Sequence, residues 1–379
     1  MTTVESNGAI RFPEVNPRIN YYQTATDTVS KLYDLKNLYF PSGKTISKVE
    51  VEEGCSIYVE ESGNPHGIPV VFVHGGPGIE AKGDGWFNPD LYRIIVFQQR
   101  GTVHCQPSAA DIHTDASIFK DVTIQTLAED MEVLRKKLNI DKWLVFGGSW
   151  GSTLSLFYAQ NYPISCSGLV LRGVYLGTDE ENRSFFCDKD LRERLQDHWN
   201  PKALEEMANY AKEQGCTIDM NDHRTLYSAY RELVVDKNDL VAARKWVAYE
   251  NYIDNPSNEQ LFSAVLCRNS RVGLLPEDRC KAVWETLMFD SVAKTINLLN
   301  KERMDNLKGM PIQIVQGALD TLCPKEIAQK LVSELSAAGS KVTFNEVEHG
   351  AHTPYSPEMT DALVRATDNF AELLKNKIN

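Results

Sequence analysis

Residues 142–154 read Lys-Trp-Leu-Val-Phe-Gly-Gly-Ser-Trp-Gly-Ser-Thr-Leu, an apolar run that passes through Gly-x-Ser-x-Gly into a helical pattern. Positions 142–146 carry strand-forming residues, and 153–162 is a helical stretch ended by Pro163. A serine at such a junction stands on a sharp turn at the carboxyl edge of a sheet. Its flanking glycines let strand and helix approach closely. Ser149 is therefore the candidate nucleophile. The pentapeptide alone is common by chance, and its strand-to-helix setting is what gives it weight.

Outward from this turn the same alternation continues. Short apolar runs at 68–73, 93–97, 169–174, 312–315 and 342–347 predict strands, and 48–52 with 56–61 predicts a strand pair turning at Glu53-Gly54. Apolar residues at 124, 127, 131, 134 and 138 lie on one helical face, and 325–338 and 357–375 predict two more helices. Strands alternating with helices imply an α/β fold with a mostly parallel sheet flanked by helices. The alternation stops near Gly177. Residues 178–295 are helix-rich and charged, with Tyr227, Tyr230, Trp246, Tyr249 and Tyr252 close together. They are expected to form a helical cap, inserted after about the sixth strand, over the sheet's carboxyl edge. The core is then 43–177 with 296–379, preceded by an irregular, polar extension at 1–42.

A chain of 379 residues accommodates one large α/β domain with an insertion, or two domains. Its hydrophobic fraction of 42% and charged fraction of 24% are ordinary for a globular protein. A net charge of −12 argues against nucleic acid and against anionic membrane surfaces as partners. The eight cysteines form no C-x-x-C pair, which predicts reduced, packed thiols. The first ten residues hold neither a basic region nor an apolar segment, and no run of about 18 apolar residues occurs. A cytoplasmic location is expected.

A serine hydroxyl needs a base to take its proton and a third group to hold that base. Asp320 follows a strand in Gly317-Ala318-Leu319-Asp320, and Glu348-His349-Gly350-Ala351-His352 follows the next. The order nucleophile, acid, histidine is the one this arrangement of strands uses. Asp320 has a plainer alternative, as a cap for the helix after Pro324. His74-Gly75-Gly76-Pro77-Gly78, after the 68–73 strand, frees the Gly76 N–H to join that of Trp150 around a developing oxyanion. His74 is expected to orient this loop rather than move protons. No His/Cys/Asp group has metal-ligand spacing, so neither metal nor cofactor is expected.

With HGGPG at 74–78, Gln99-Arg100-Gly101, GGSWGSTL at 147–154 and LRG at 171–173, the chain resembles the prolyl aminopeptidase (proline iminopeptidase) family of α/β-hydrolases. The likeness is dense over 45–175, returns over 311–355 and is faint between. It implies Ser149 as nucleophile, Asp320 as acid and a carboxyl-terminal histidine as base. Aligned without gaps, His352 takes that place and His349 falls three residues early. The family binds a substrate's free α-amine with cap carboxylates. Its W-x-x-W-E segment resembles Trp246-Val247-Ala248-Tyr249-Glu250, which makes Glu250 a candidate amine ligand. A second family glutamate, in R-I-E-N, is replaced by Arg268, which would repel an ammonium and attract a carboxylate. The family's D-Q-R-G-x-G-x-S reads Gln98 to Cys105 here, with the acid and the second glycine replaced and His104 near the site. The implied activity is a serine hydrolase working through an acyl-enzyme on a small peptide or amide. The alternatives are hydrolysis of a non-peptide amide, ester or lactone, and a non-catalytic binder on the same fold.

Overall fold

The computed structural model describes residues 38–39, 41–81, 83, 85–267 and 275–375. The chain begins with the hairpin β1 (Thr45–Glu52) and β2 (Cys55–Gly63), followed by β3 (Ile68–Val73) and β4 (Tyr92–Phe97). Next come α1 (Ile124–Lys137), β5 (Trp143–Ser149), α2 (Trp150–Asn161) and β6 (Cys166–Val174). Between β6 and β7 lie α3 (Asp179–Phe186), α4 (Asp188–Leu195), α5 (Lys202–Glu213) and α6 (His223–Arg231). The same segment holds α7 (Leu240–Asp254), α8 (Glu259–Leu266), α9 (Pro276–Thr295) and the short α10 (Lys301–Asp305). The chain then runs through β7 (Pro311–Gly317), α11 (Lys325–Ala337), β8 (Lys341–Val347) and α12 (Pro357–Lys375).

The sheet order is β1-β2-β4-β3-β5-β6-β7-β8. The pairs β1–β2 and β2–β4 are antiparallel, and all later pairs are parallel. The expected mostly parallel α/β sheet is therefore present. Alternation along its central strands sets the layers. Val71, Val73 and Val145 face Leu127, Met131 and Leu154 of α1 and α2. Val70, Phe72, Leu144 and Phe146 face the other way, towards Leu363 and Phe370 of α12. Both faces are covered, so these strands read as unbroken apolar runs rather than alternating ones.

Strands and helices fall where the sequence puts them, with shifted ends. The helix expected from 153 starts at Trp150, and the strand expected to end at 146 continues to Ser149. No loop residue separates them. Of the extension, Tyr39 donates its N–H to Gly85 O (2.9 Å) and its hydroxyl to Asp368 Oδ2 (3.3 Å). All eight cysteines are free thiols. No helix among the described residues is long and apolar enough to cross a membrane.

Two polar devices tie the sheet's carboxyl edge together. Arg100 forms a fork to Asp130 of α1 (both N···O 2.6 Å) and reaches Glu52 (2.8 Å), which joins the hairpin to the helix layer. The loop after β3 is held by His74. Its Nε2 accepts the Gln99 N–H (3.1 Å), and its Nδ1 lies 2.9 Å from Gly75 O. A backbone N–H can only donate and a carbonyl only accept, so these partners fix the neutral Nδ1–H tautomer. Burial lowers the imidazole pKa to about 4. The Gln99 side chain completes the link, donating to His74 O (2.9 Å) and accepting from the Trp150 indole (3.0 Å).

His74 makes the fold pH-sensitive in a defined direction. Unfolded, it takes up a proton near its ordinary 6.5; folded, only near 4. Between these values the unfolded state binds more protons, so stability is full above about 6.5 and falls as pH drops towards 4. The gap corresponds to about 3 kcal/mol. Urea unfolding across this range should show a flatter pH dependence in His74→Asn than in the wild type; parallel curves would exclude the assignment.

Candidate active site

Ser149 ends β5 and precedes the first residue of α2, with φ 57° and ψ −130°. This region of backbone space is costly for a residue with a side chain, and packing has to hold it there. Gly151 shows how. A Cβ at this position would lie 2.1 Å from Val73 O, so only glycine lets α2 press this tightly onto the end of β3. The turn is thereby forced, and the hydroxyl stands clear of the sheet.

Four carboxyl-edge segments meet at that hydroxyl. His352, in the loop after β8, places Nε2 3.1 Å from Ser149 Oγ. Its Nδ1 lies 2.9 Å from Asp320 Oδ2 and 3.1 Å from Oδ1. Asp320, in the loop after β7, also accepts the N–H groups of Leu322 (3.1 Å) and Cys323 (2.8 Å). Burial pushes its carboxyl up, but His352, the Cys323 N–H and Arg172 outweigh this and hold it below the usual carboxylate range. Asp320 does not cap α11, since the backbone N–H groups it accepts, those of Leu322 and Cys323, precede the N-cap Pro324. The acid and histidine loops are sewn together by Leu319 N–H to Gly350 O (2.8 Å) and Ala318 N–H to Val347 O (2.9 Å). His349 is exposed.

The 74–78 loop forms the fourth side. A Cβ on Gly75 would lie 3.3 Å from Ser149 Cβ, so the loop's backbone lies against Ser149. Trp150 opens a helix of 12 residues, where the N–H groups have no partner within the helix and the dipole's positive end faces outward. In the Q-R-G segment, Gln98 Oε1 accepts the Ala81 N–H (3.0 Å). His104 is exposed and lies 3.4 Å from Glu80.

Helix α9 closes over this edge. Arg279 donates to the carbonyls of Ala109, Asp111 and Thr114, while Phe289 packs against Trp150 (6.5 Å) and Tyr175 (5.5 Å). Beneath lies a cavity lined by Phe185, Phe186, Tyr227, Trp246, Tyr249, Glu250, Ile253 and Phe289. Glu250 is thus brought to an aromatic pocket, though not as a free carboxylate. Its Oε2 is 2.6 Å from Lys281 Nζ. Fully buried Glu285 stands beside it, accepting the Trp246 indole N–H (2.8 Å). Burial first, then the Glu250 charge, raises the Glu285 carboxyl well above the usual range. Arg268 lies outside the described residues.

Several of these residues carried no role in the sequence reading. Arg172 was visible only as the middle of Leu-Arg-Gly; its guanidinium donates to His352 O and so holds the histidine loop. Glu285 and Lys281 carried one faint signal, charges spaced four apart in a helix otherwise rich in buried apolar residues. Asp320, Cys323 and His352 bring ligand-type atoms within 4.8 Å of one another. His352 and Asp320 are bonded to each other, however, and burial pushes the Cys323 thiol up.

The arrangement suits proton transfer from a hydroxyl to an imidazole steadied by a carboxylate. Relatives share the frame. Residues 68–357 match the family described as alpha/beta hydrolase fold. The chain is 33% identical over 327 residues to a proline iminopeptidase of Neisseria gonorrhoeae, covering 85% of this chain and 94% of that one. It is 30% identical over 358 residues to a proline iminopeptidase of Arabidopsis thaliana, covering 89% and 83% respectively. An alpha/beta fold family hydrolase from Bacillus anthracis superposes with a TM-score of 0.51 at 18% identity, over 86% of this chain and 99% of that one, a likeness of fold alone. From its sheet order, its loop motifs and these relatives, the chain is a member of the proline iminopeptidase family of α/β-hydrolases.

Proposed function

We propose that the protein is a serine hydrolase that releases the N-terminal residue of a short peptide through an acyl-enzyme. The observation that carries this reading is the continuous chain from Ser149 Oγ through His352 (3.1 Å) to Asp320 (2.9 Å). His352 takes the hydroxyl proton as Ser149 attacks the carbonyl, and Asp320 steadies the imidazolium. The N–H groups of Gly76 and Trp150 receive the oxyanion, each such donor contributing on the order of 10²–10³ in rate. His352 then gives its proton to the departing amine, and water completes the cycle by the same route. Residues 178–295 act as a cap over a cytoplasmic enzyme's site.

The substrate reading rests on the aromatic cavity and its acidic end. The aromatic lining, with Phe186 and Tyr249 stacked at 5.1 Å, matches the apolar character of a proline ring. Glu250 with Glu285 offers acceptors for a free amine. A second reading is favoured by one contact. Lys281 already neutralises Glu250 at 2.6 Å, and a non-peptide amide or ester needs no amine site at all.

Kinetics of single variants test the reaction. Ser149→Ala and His352→Ala should each lower kcat by about 10⁴–10⁶, with His349→Ala within a few-fold of wild type. Loss of activity in His349→Ala with retention in His352→Ala would reverse the assignment of the base. Proline p-nitroanilide and its N-acetyl derivative test the substrate. Preference for the free amine of at least 10-fold, lost in Glu250→Gln, supports the aminopeptidase; equal or better turnover of the acetylated compound favours the second reading.

A further inference from the structure

Arg194, in α4, is the one cation whose guanidinium Nε, Nη1 and Nη2 are all buried and without a hydrogen-bond partner among the described residues. It lies over the Phe185 ring, 5.3 Å from the centroid, and Phe185 is part of the cavity wall. A buried charge left unpaired is strongly unfavourable, and an arginine resolves this by finding an anion rather than by losing its proton.

Its surroundings say where that anion belongs. The ionisable groups acting on Arg194 are Tyr249, Cys323, Asp190 and Asp254, and none bonds to it. Tyr249 donates instead to Phe185 O (2.8 Å), and Asp190 pairs with Arg183 (3.1 Å). Cys323 belongs to the acid loop and lies within 4.8 Å of Asp320 and His352. Asp254 is exposed, and the charges acting on it include those of His352, Lys281, Glu250 and Asp320. Cys323 links these surroundings to the acid loop, beside the imidazole that protonates a leaving group. Glu250 lines the same cavity as Phe185, and its carboxylate is paired with Lys281.

We infer that Arg194 is a subsite for a carboxylate on the leaving portion of the substrate. Resting on the aminopeptidase reading above, this narrows the substrate class to very short peptides with a free C-terminal carboxylate. The guanidinium fork matches a carboxylate's two oxygens, and the buried setting strengthens the pair. Arg194 acts in binding and takes no part in proton transfer. The two ends of a dipeptide would then be read by opposite charges, the amine at Glu250 and the carboxylate at Arg194.

The test compares prolyl-glycine with prolyl-glycinamide. Wild type should favour the acid by 10-fold or more in kcat/KM, chiefly through KM, and in Arg194→Gln that ratio should collapse towards one. Arg194→Lys should keep part of it. A ratio near one in wild type, or the same ratio in Arg194→Gln, overturns the proposal. Should neither peptide be cleaved, the aminopeptidase reading fails, and the anion site is still judged by melting temperature. Benzoate should raise it and benzamide should not, the difference vanishing in Arg194→Gln; equal shifts from the two compounds refute the site. Without ligand, Arg194→Met should melt no lower than wild type, because an unpaired buried charge is removed. A large drop would mark the residue as structural.

Discussion

The site depends on one close contact, α2 pressed against the carboxyl end of β3 at Gly151, where 2.1 Å is all that a side-chain carbon would have. With the helix this near, the chain leaves β5 through a single strained residue, Ser149 at φ 57°. A relaxed turn would need intervening residues and would carry the hydroxyl away from His352. The same approach brings the 74–78 loop against the serine and the first N–H groups of α2 to its side. Gln99 then fixes the spacing between the two halves by bonding to His74 O and the Trp150 indole at once. Strain at one residue is thus held by packing spread over two strands, a helix and a buried neutral histidine.

Around this centre, charge is distributed in two ways. Near the hydroxyl each charge has a geometric purpose: Asp320 receives His352 and two backbone N–H groups, and Arg172 anchors the His352 carbonyl. Around the cavity the charges answer mainly to one another. Lys281 pairs with Glu250, burial raises the Glu285 carboxyl well above the usual range, and the Arg194 guanidinium has no hydrogen-bond partner among the described residues. On the proposed reading, the first set governs attack on a carbonyl and the second governs what that carbonyl belongs to.

What the sequence made legible follows from the distance over which each feature is encoded. Strands such as 68–73 and 142–146 are local hydrophobic runs, and the turn at Ser149 is a local glycine pattern, so both could be read directly. The strand ends shifted because Ser149 belongs to strand and turn together. Asp320 and His352 were legible through their order along the chain and the family likeness, although 203 residues separate His352 from the serine it meets. Lys281, Glu285 and Arg194 were not. Their meaning lies in burial and in which helices of the insertion face one another, and the sequence likeness is faint there. Arg172 shows the intermediate case, a visible motif residue whose purpose emerged only when its partner, a backbone carbonyl 180 residues away, was known.

The claim on which the rest stands is that Ser149 is the covalent nucleophile, activated by His352. Mass mapping of the protein after reaction with a fluorophosphonate tests it most directly. The account predicts one adduct per chain, on the peptide bearing Ser149, formed far more slowly in His352→Ala. An adduct on another residue, or labelling that persists unchanged in Ser149→Ala, would contradict it.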